Sequence, residues 1–447
     1  MRDCFLALAC LLVAAANISA QSPALDAKID QELPSLVSTY KALHAAPELS
    51  HHEDKTAAML AGQLRGFGYD VAEHVGKYPN PEWQGHGIVA LMKNGAGPTV
   101  LVRADMDALP VEEQTGLPYA SHVHAKNDAG LDVGVMHACG HDIHVTSLIG
   151  TAKLLAAMKD QWHGTLVLIG QPSEETIDGA KSMLADGLYS RIPRPDYALA
   201  LHDSSELETG KISYTPGYAL ASSTSVDVTI RGRGAHGSRP EVSKDPIVLA
   251  AEFILAIQTI VSRENSPFDP AVVTVGSIHG GTKYNIIPDD VHLQLTIRTY
   301  KEEVRQHILA SLERIAKGVA LAGGVPEDRA PIVKASETEV TPAMYNDPPL
   351  TEREVAALKH SLGADNVVEK PPVMGSEDFG QFGLEGHKIP TFMFMVGAID
   401  TDRIANSQKT GVPLPSLHSA LFWPVPAPTI RTGVKAMTTA VLELMKK

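Results

Sequence analysis

Cysteine is scarce in this chain: there are three in 447 residues, at positions 4, 10 and 139. The first two lie in an apolar leader. Arg2 is a thin basic start, residues 5–16 are an apolar run, and Ile18-Ser19-Ala20 is a small-residue cleavage signature before Gln21. The run is short for a bilayer span. Residues 1–20 are therefore expected to be a cleaved export signal, with the protein periplasmic or secreted. Only Cys139 then remains, which excludes an internal disulfide framework. A lone thiol in an oxidising compartment is a liability unless something buries or occupies it. A basic surplus is also missing: 38 Lys and Arg stand against 52 Asp and Glu, a net charge of −14. That excludes a partner bound through a phosphate backbone, so no nucleic acid is expected. It also excludes a general attraction to anionic membranes. No later stretch reads as long and apolar enough to cross a bilayer, so no stable membrane insertion is expected. There is no internal repeat and no low-complexity tract. What is present is a globular composition, 44% hydrophobic and 20% charged, at a length that predicts two domains.

Residues 26–65 read as helical, with breaks at Pro34 and Pro47. Residues 98–104, 164–170, 196–201 and 391–396 are apolar runs of buried-strand type, and helical patterns at 145–158 and 180–188 alternate with them. This alternation predicts an α/β layer around a mostly parallel sheet. Between these halves the rhythm changes. Strands at 223–230, 271–278, 291–299 and 331–335 and helices at 245–263 and 301–322 follow the order β-α-β-β-α-β, the ferredoxin-like pattern. The expected division is a catalytic domain of residues 21–219 and 338–447, interrupted by an inserted domain of residues 220–337. The polar stretch 401–415 reads as a loop.

Chemistry-bearing residues cluster after the strands of the larger domain. Asp105 and Asp107 follow the first. Cys139, His141, Asp142 and His144 open a helix. Glu174 and Glu175 follow the second strand, and His202 and Asp203 the third. Ligands of open α/β sheets collect outside the carboxyl ends of the strands. Taken singly, each residue has a bland reading: Glu174 and Glu175 as a solvated pair, His202 as a loop histidine, Cys139 as a small hydrophobe. Taken together they read as a metal site. Gly140 lets Cys139 and His141 turn toward one point. Thiolate and imidazole suit Zn²⁺, and carboxylates admit Mn²⁺. Two divalent ions need a bridging ligand and terminal ligands on each side. Cys139 as bridge with His141, Glu175 and His202 nearly meets that count, and His418 is the best remaining candidate. Glu174 is then the general base. Asp105, Asp107 and Asp142 are candidates for orienting the ligand histidines.

The motifs RADMDALP, MHACGHDIH, GQPSEE, ALH (200–202), GRGAHGSRP, NIIPD, GSEDFG and LHSALF, in this order, resemble those of the aminoacylase/carboxypeptidase family of metallopeptidases. The nearest likeness is to its amidohydrolase branch, with the hippurate and auxin-conjugate hydrolases. The resemblance implies a catalytic domain interrupted by a dimerisation or lid domain, and hence a homodimer. It implies the same five ligands and the same base. It also implies that His236 stabilises the tetrahedral oxyanion and that Asn285 and Arg298 hold the substrate carboxylate. Gly234-Ala235-His236-Gly237-Ser238 departs from the commoner form, which leaves substrate preference open. The function expected is metal-dependent hydrolysis of the amide bond of N-acyl amino acids. Its rivals are an exopeptidase acting on dipeptides, a non-catalytic binding protein, and a hydrolase with Cys139 as nucleophile.

Overall fold

The computed structural model describes residues 2–384 and 386–447, with side chains from Pro23 onward. The side chains of the leader, Cys4 and Cys10 among them, lie outside the described residues, and with them the reading of residues 1–20 as an export signal. The chain divides into two compact units. One takes Met1–Gly217, Asn346–Lys370 and Phe382–Lys447; the other takes Tyr218–Tyr345 and Pro371–Gln381.

The first unit is α/β. Its eight-stranded sheet runs in the order Asp70–Val75, Gly87–Asn94, Gly164–Gln171, Thr99–Asp105, Tyr197–Glu208, Thr391–Ile399, Ile212–Tyr214 and Val367–Glu369. The four central strands, Gly164–Gln171 to Thr391–Ile399, are mutually parallel. Every residue of Thr99–Asp105 is buried, as expected of a central strand covered on both faces. Helices His141–Ala157 and Pro426–Met445 supply apolar side chains to the same core, which includes Leu60, Trp162, Phe392 and Phe394.

The second unit is an antiparallel four-stranded sheet in the order Ala271–Gly280, Asp290–Thr299, Ser222–Arg231 and Ile332–Thr341. Helices Pro246–Thr259 and Glu302–Ala322 complete the β-α-β-β-α-β sequence. Phe253, Ile257, Ile297, Ile308 and Leu312 are fully buried between sheet and helices.

Three expectations fail. The first helix, Arg2–His44, continues through Pro34. A mid-helix proline costs about 3 kcal/mol, but Ile29, Leu36, Tyr40 and Leu43 all enter the core from this helix. At roughly 1.5–3 kcal/mol each, their burial outweighs the penalty. Residues 401–415 are not all loop: Thr401–Thr410 is a helix with no buried residue. It is fixed at its ends. Asp400 accepts from Arg403 N–H at 2.8 Å, and Gly411 leaves it at φ +72°. Finally, Pro246–Glu264 is apolar and long enough, at 19 residues, to pass as a span. One face packs on the four-stranded sheet through Leu249, Phe253, Ile257 and Ile260, and the other exposes Ile247, Val248 and Leu255.

Candidate metal centre

Five of the six residues expected at the metal site are buried or nearly so in the first unit, and the sixth, His418, is partly open to solvent. Cys139 sits on the turn before helix His141–Ala157. His141 is the first residue of that helix, which begins four residues earlier than expected. Glu174 and Glu175 lie on the loop leaving strand Gly164–Gln171, and His202 lies within strand Tyr197–Glu208. His418 stands on a turn at φ +67°.

These side chains converge. The Cys139 Sγ is 3.2 Å from His418 Nε2 and 3.6 Å from His202 Nε2. Glu175 lies 3.5 Å from His418 Nε2 and 3.9 Å from His141 Nε2. Glu174 approaches His141 Nε2 to 3.9 Å. Cys139 belongs to two groups of mutually close donor atoms, one with His141 and His202, the other with Glu175 and His418. One thiol common to both groups is what a bridge requires.

The histidines are oriented by the backbone. His141 Nδ1 donates to Asp107 O at 2.8 Å, and His202 Nδ1 donates to Asp203 O at 2.7 Å. Each bond fixes the tautomer so that the Nε2 lone pair faces the cluster. Asp107 also receives Glu175 N–H at 2.9 Å. Asp105 binds Arg103 Nη1 at 2.7 Å and His144 Nδ1 at 2.5 Å. His144 Nε2 accepts from Asp203 N–H at 2.9 Å, so both of its ring nitrogens are engaged by protein. Asp142 turns away and receives His44 Nδ1 at 2.7 Å. Asp107 Oδ1 lies 3.3 Å from His141 Nδ1 and Asp105 Oδ2 lies 3.6 Å from His141 Nε2, so two of the three candidate orienting carboxylates stand beside that histidine. Asp203 was noted in the sequence without a role, because a single aspartate after a strand gives no sign of which histidine it meets.

A cation fits this donor set. His141 Nε2 and Glu175 Oε1 are buried without a hydrogen-bond partner, a costly condition unless something charged completes them. Burial, reinforced by the charge of Glu175, pushes the Cys139 thiol well above its ordinary range. Burial likewise lifts Glu175 to about 7. Burial opposes the charge of Asp105 too, but the Arg103 guanidinium overrides it and holds that carboxyl well below its usual range. Burial thus disfavours the charged forms of Cys139 and Glu175, and divalent cations at this cluster would favour them. The same burial makes Cys139 a poor stand-alone nucleophile.

The three residues expected at the substrate lie in the second unit. His236 forms a short ladder with Ile286, and Gly237 N–H donates to Asn285 O at 2.8 Å. His236 is exposed, and its Nδ1 accepts from Ser238 N–H at 3.1 Å. Arg298 is half-buried on strand Asp290–Thr299, with Nη1 donating to Ser223 Oγ and Thr296 Oγ1 at 2.5 Å each.

Thiol, imidazole and carboxylate groups gathered at the ends of parallel strands define a metal-dependent hydrolase. Residues 101–420 match the profile of peptidase family M20/M25/M40. The chain is 37% identical over 342 residues to a hippurate hydrolase of Campylobacter jejuni, across 76% of this chain and 82% of that one. It is 36% identical over 389 residues to thermostable carboxypeptidase 2 of Saccharolobus solfataricus, across 87% and 90%. It is 35% identical over 353 residues to an N-acetyl-L-cysteine deacetylase of Bacillus subtilis, across 78% and 77%. Among solved structures it resembles an aminohydrolase of methicillin-resistant Staphylococcus aureus, described as putative, with TM-score 0.81, 32% identity and coverage of 95% and 100%. It also resembles a dinuclear metal-binding M20 peptidase of B. subtilis, with TM-score 0.72, 26% identity and coverage of 92% and 98%. The chain belongs to peptidase family M20/M25/M40, in its amidohydrolase branch, and is a metal-dependent hydrolase of amide bonds.

Proposed function

We propose that this protein cleaves small N-acyl amino acids at the amide bond, with two zinc or manganese ions held by Cys139, His141, Glu175, His202 and His418. The observation that carries the reading is the thiol of Cys139 shared between two groups of ligand atoms, with Glu174 alongside at 3.9 Å from His141 Nε2. When bound, such ions polarise a scissile carbonyl and acidify a water molecule. Glu174 accepts a proton from the attacking water and delivers it to the leaving nitrogen. His141 and His202 hold their Nε2 atoms toward the cluster through the bonds to Asp107 O and Asp203 O. His236 suits an oxyanion: its Nδ1 accepts from Ser238, so the proton is on Nε2. Arg298, with Asn285, suits a substrate carboxylate.

The names of the hippurate hydrolase and N-acetyl-L-cysteine deacetylase relatives support the acyl-amino-acid reading. The carboxypeptidase relative keeps an exopeptidase in view. A panel of N-benzoyl and N-acetyl amino acids against dipeptides separates the two, since a requirement for a free α-amine favours the peptidase. Glu174→Gln tests the base. Metal content is expected to stay at the wild-type level while turnover falls by orders of magnitude, and unchanged turnover would exclude the role. Two further parts of the reading are a leader removed before Gln21, which N-terminal sequencing of the exported protein checks, and a homodimer. The exposed Ile247, Val248 and Leu255 and the edge strand Ala271–Gly280 of the second unit support pairing with a second copy.

A further inference from the structure

Residues 172–179, which carry Glu174 and Glu175, form a loop strained at both shoulders. Ser173 and Ile177 each have φ +54°, a region that a β-branched isoleucine rarely enters. The loop closes tightly. Gly179 N–H donates to Ser173 O at 3.1 Å, and a Cβ on Gly179 would lie 1.6 Å from the Pro172 oxygen. Such a conformation persists only where its surroundings hold it.

Much of that holding comes from Ser50-His51-His52-Glu53, far away in sequence. The Ser-x-x-Glu spacing before helix Asp54–Gly66 looks like a capping box, yet Glu53 makes no side-chain cap bond there. Instead it accepts from Ser173 N–H at 2.7 Å. His51 N–H and the Tyr78 hydroxyl both donate to Ser173 Oγ at 2.9 Å. Ser50 Oγ donates at 2.7 Å to Asp107 Oδ2, the atom that also receives Glu175 N–H.

The His51 ring sits in the middle of this contact. Its Nδ1 is 2.9 Å from Asp128 Oδ2, and its Nε2 is 3.3 Å from both carboxylate oxygens of Asp178. It stacks on Trp83 at 3.7 Å. A neutral imidazole carries one N–H; with a carboxylate at each nitrogen, this ring donates from both and is a cation. Burial opposes that charge, but Asp178 and then Asp128 outweigh it and raise the ring above its ordinary value. The other titratable groups around it do not replace either carboxylate. His52 Nε2 is 3.5 Å from Asp128. His86 donates from Nε2 to His51 O at 3.1 Å, is held below its ordinary value by burial, and faces Asp54. Burial raises both Tyr78 and Glu53 above their ordinary values.

We propose that His51 is a positioning residue for catalysis: its ring, clamped between Asp128 and Asp178, holds the strained loop that presents Glu174 to the substrate. The inference rests on the reading of Glu174 as the base. The test measures kcat, KM and metal content against pH for wild type, His51→Ala, His51→Gln and Asp128→Asn, with Glu174→Gln alongside, on the best substrate of the panel. His51→Ala is expected to lose kcat about 10- to 100-fold while KM and metal content stay at wild-type values. Wild-type kcat should fall at alkaline pH as His51 loses its proton, and that limb should be missing in His51→Gln. Three results overturn the proposal: wild-type kcat in His51→Ala, a loss that merely tracks metal content, or the same alkaline limb in His51→Gln. If His51→Ala does not fold, Asp128→Asn decides, and wild-type kcat with a wild-type pH profile in that variant overturns the clamp. Full turnover in Glu174→Gln overturns the base instead, whatever the His51 variants do. An inactive Glu174→Gln beside an unaffected His51→Ala overturns the clamp alone.

Discussion

Gly140 separates Cys139 and His141, the two proposed ligands, and two independent constraints fix it as glycine. Its φ of +78° is left-handed, and a Cβ there would lie 2.4 Å from both carboxylate oxygens of Asp203. Gly140→Ala therefore pays about 1–2 kcal/mol for backbone handedness and also displaces Asp203, which orients His144 and His202. The expected outcome is a folded protein with a lower melting temperature and reduced metal content, checked by thermal unfolding and elemental analysis. Wild-type values for both would contradict this account of the turn. The turn itself was legible from Cys-Gly-His, because a small residue between two donors has few other uses. The contact with Asp203 was not legible, since it joins positions 63 residues apart through a close approach that only the folded sheet creates. The Ser50–Glu53 segment was hidden for the same reason, and its spacing imitated an ordinary helix cap.

At the scale of elements, the parallel strands and the β-α-β-β-α-β insertion were visible because apolar runs and amphipathic periods report burial directly. The errors fall where local rules met tertiary packing or end effects: Pro34 inside a helix anchored by its core face, and Thr401–Thr410 held by its caps without an apolar stripe. The joint between helices Arg2–His44 and His141–Ala157 shows what periodicity leaves out. His44 is fully buried, with Nδ1 2.7 Å from Asp142 and Nε2 3.2 Å from Glu113. Burial alone would lower its pKa, but the hydrogen bonds to Asp142 and Glu113 raise it from 6.5 to about 9. The folded state thus binds this proton more tightly than the unfolded chain. Its contribution to stability is complete below about pH 6.5 and is lost as pH rises through about 9. Chemical denaturation of wild type and His44→Gln should give stability curves that converge over this interval. A difference that stays constant from pH 6 to pH 10, on the order of the range set by those pKa values, would contradict the assignment.

At the scale of the whole molecule, composition argued against a nucleic-acid partner, the motifs pointed to two metal ions, and the family resemblance alone implied a second copy of the chain. The apolar outer face of helix Pro246–Thr259 is the feature through which the second unit would pair. Leu255→Glu, at a side chain 73% exposed, should leave folding and metal content intact while light scattering shows a monomer in place of a dimer; an unchanged dimer would move the interface elsewhere. The account as a whole depends on the cations. Its most direct test is elemental analysis of the purified, undialysed protein. The account predicts about two divalent ions per chain, falling sharply in Cys139→Ala because the shared thiol serves both. A wild-type content near zero, or an unchanged content in Cys139→Ala, would contradict it.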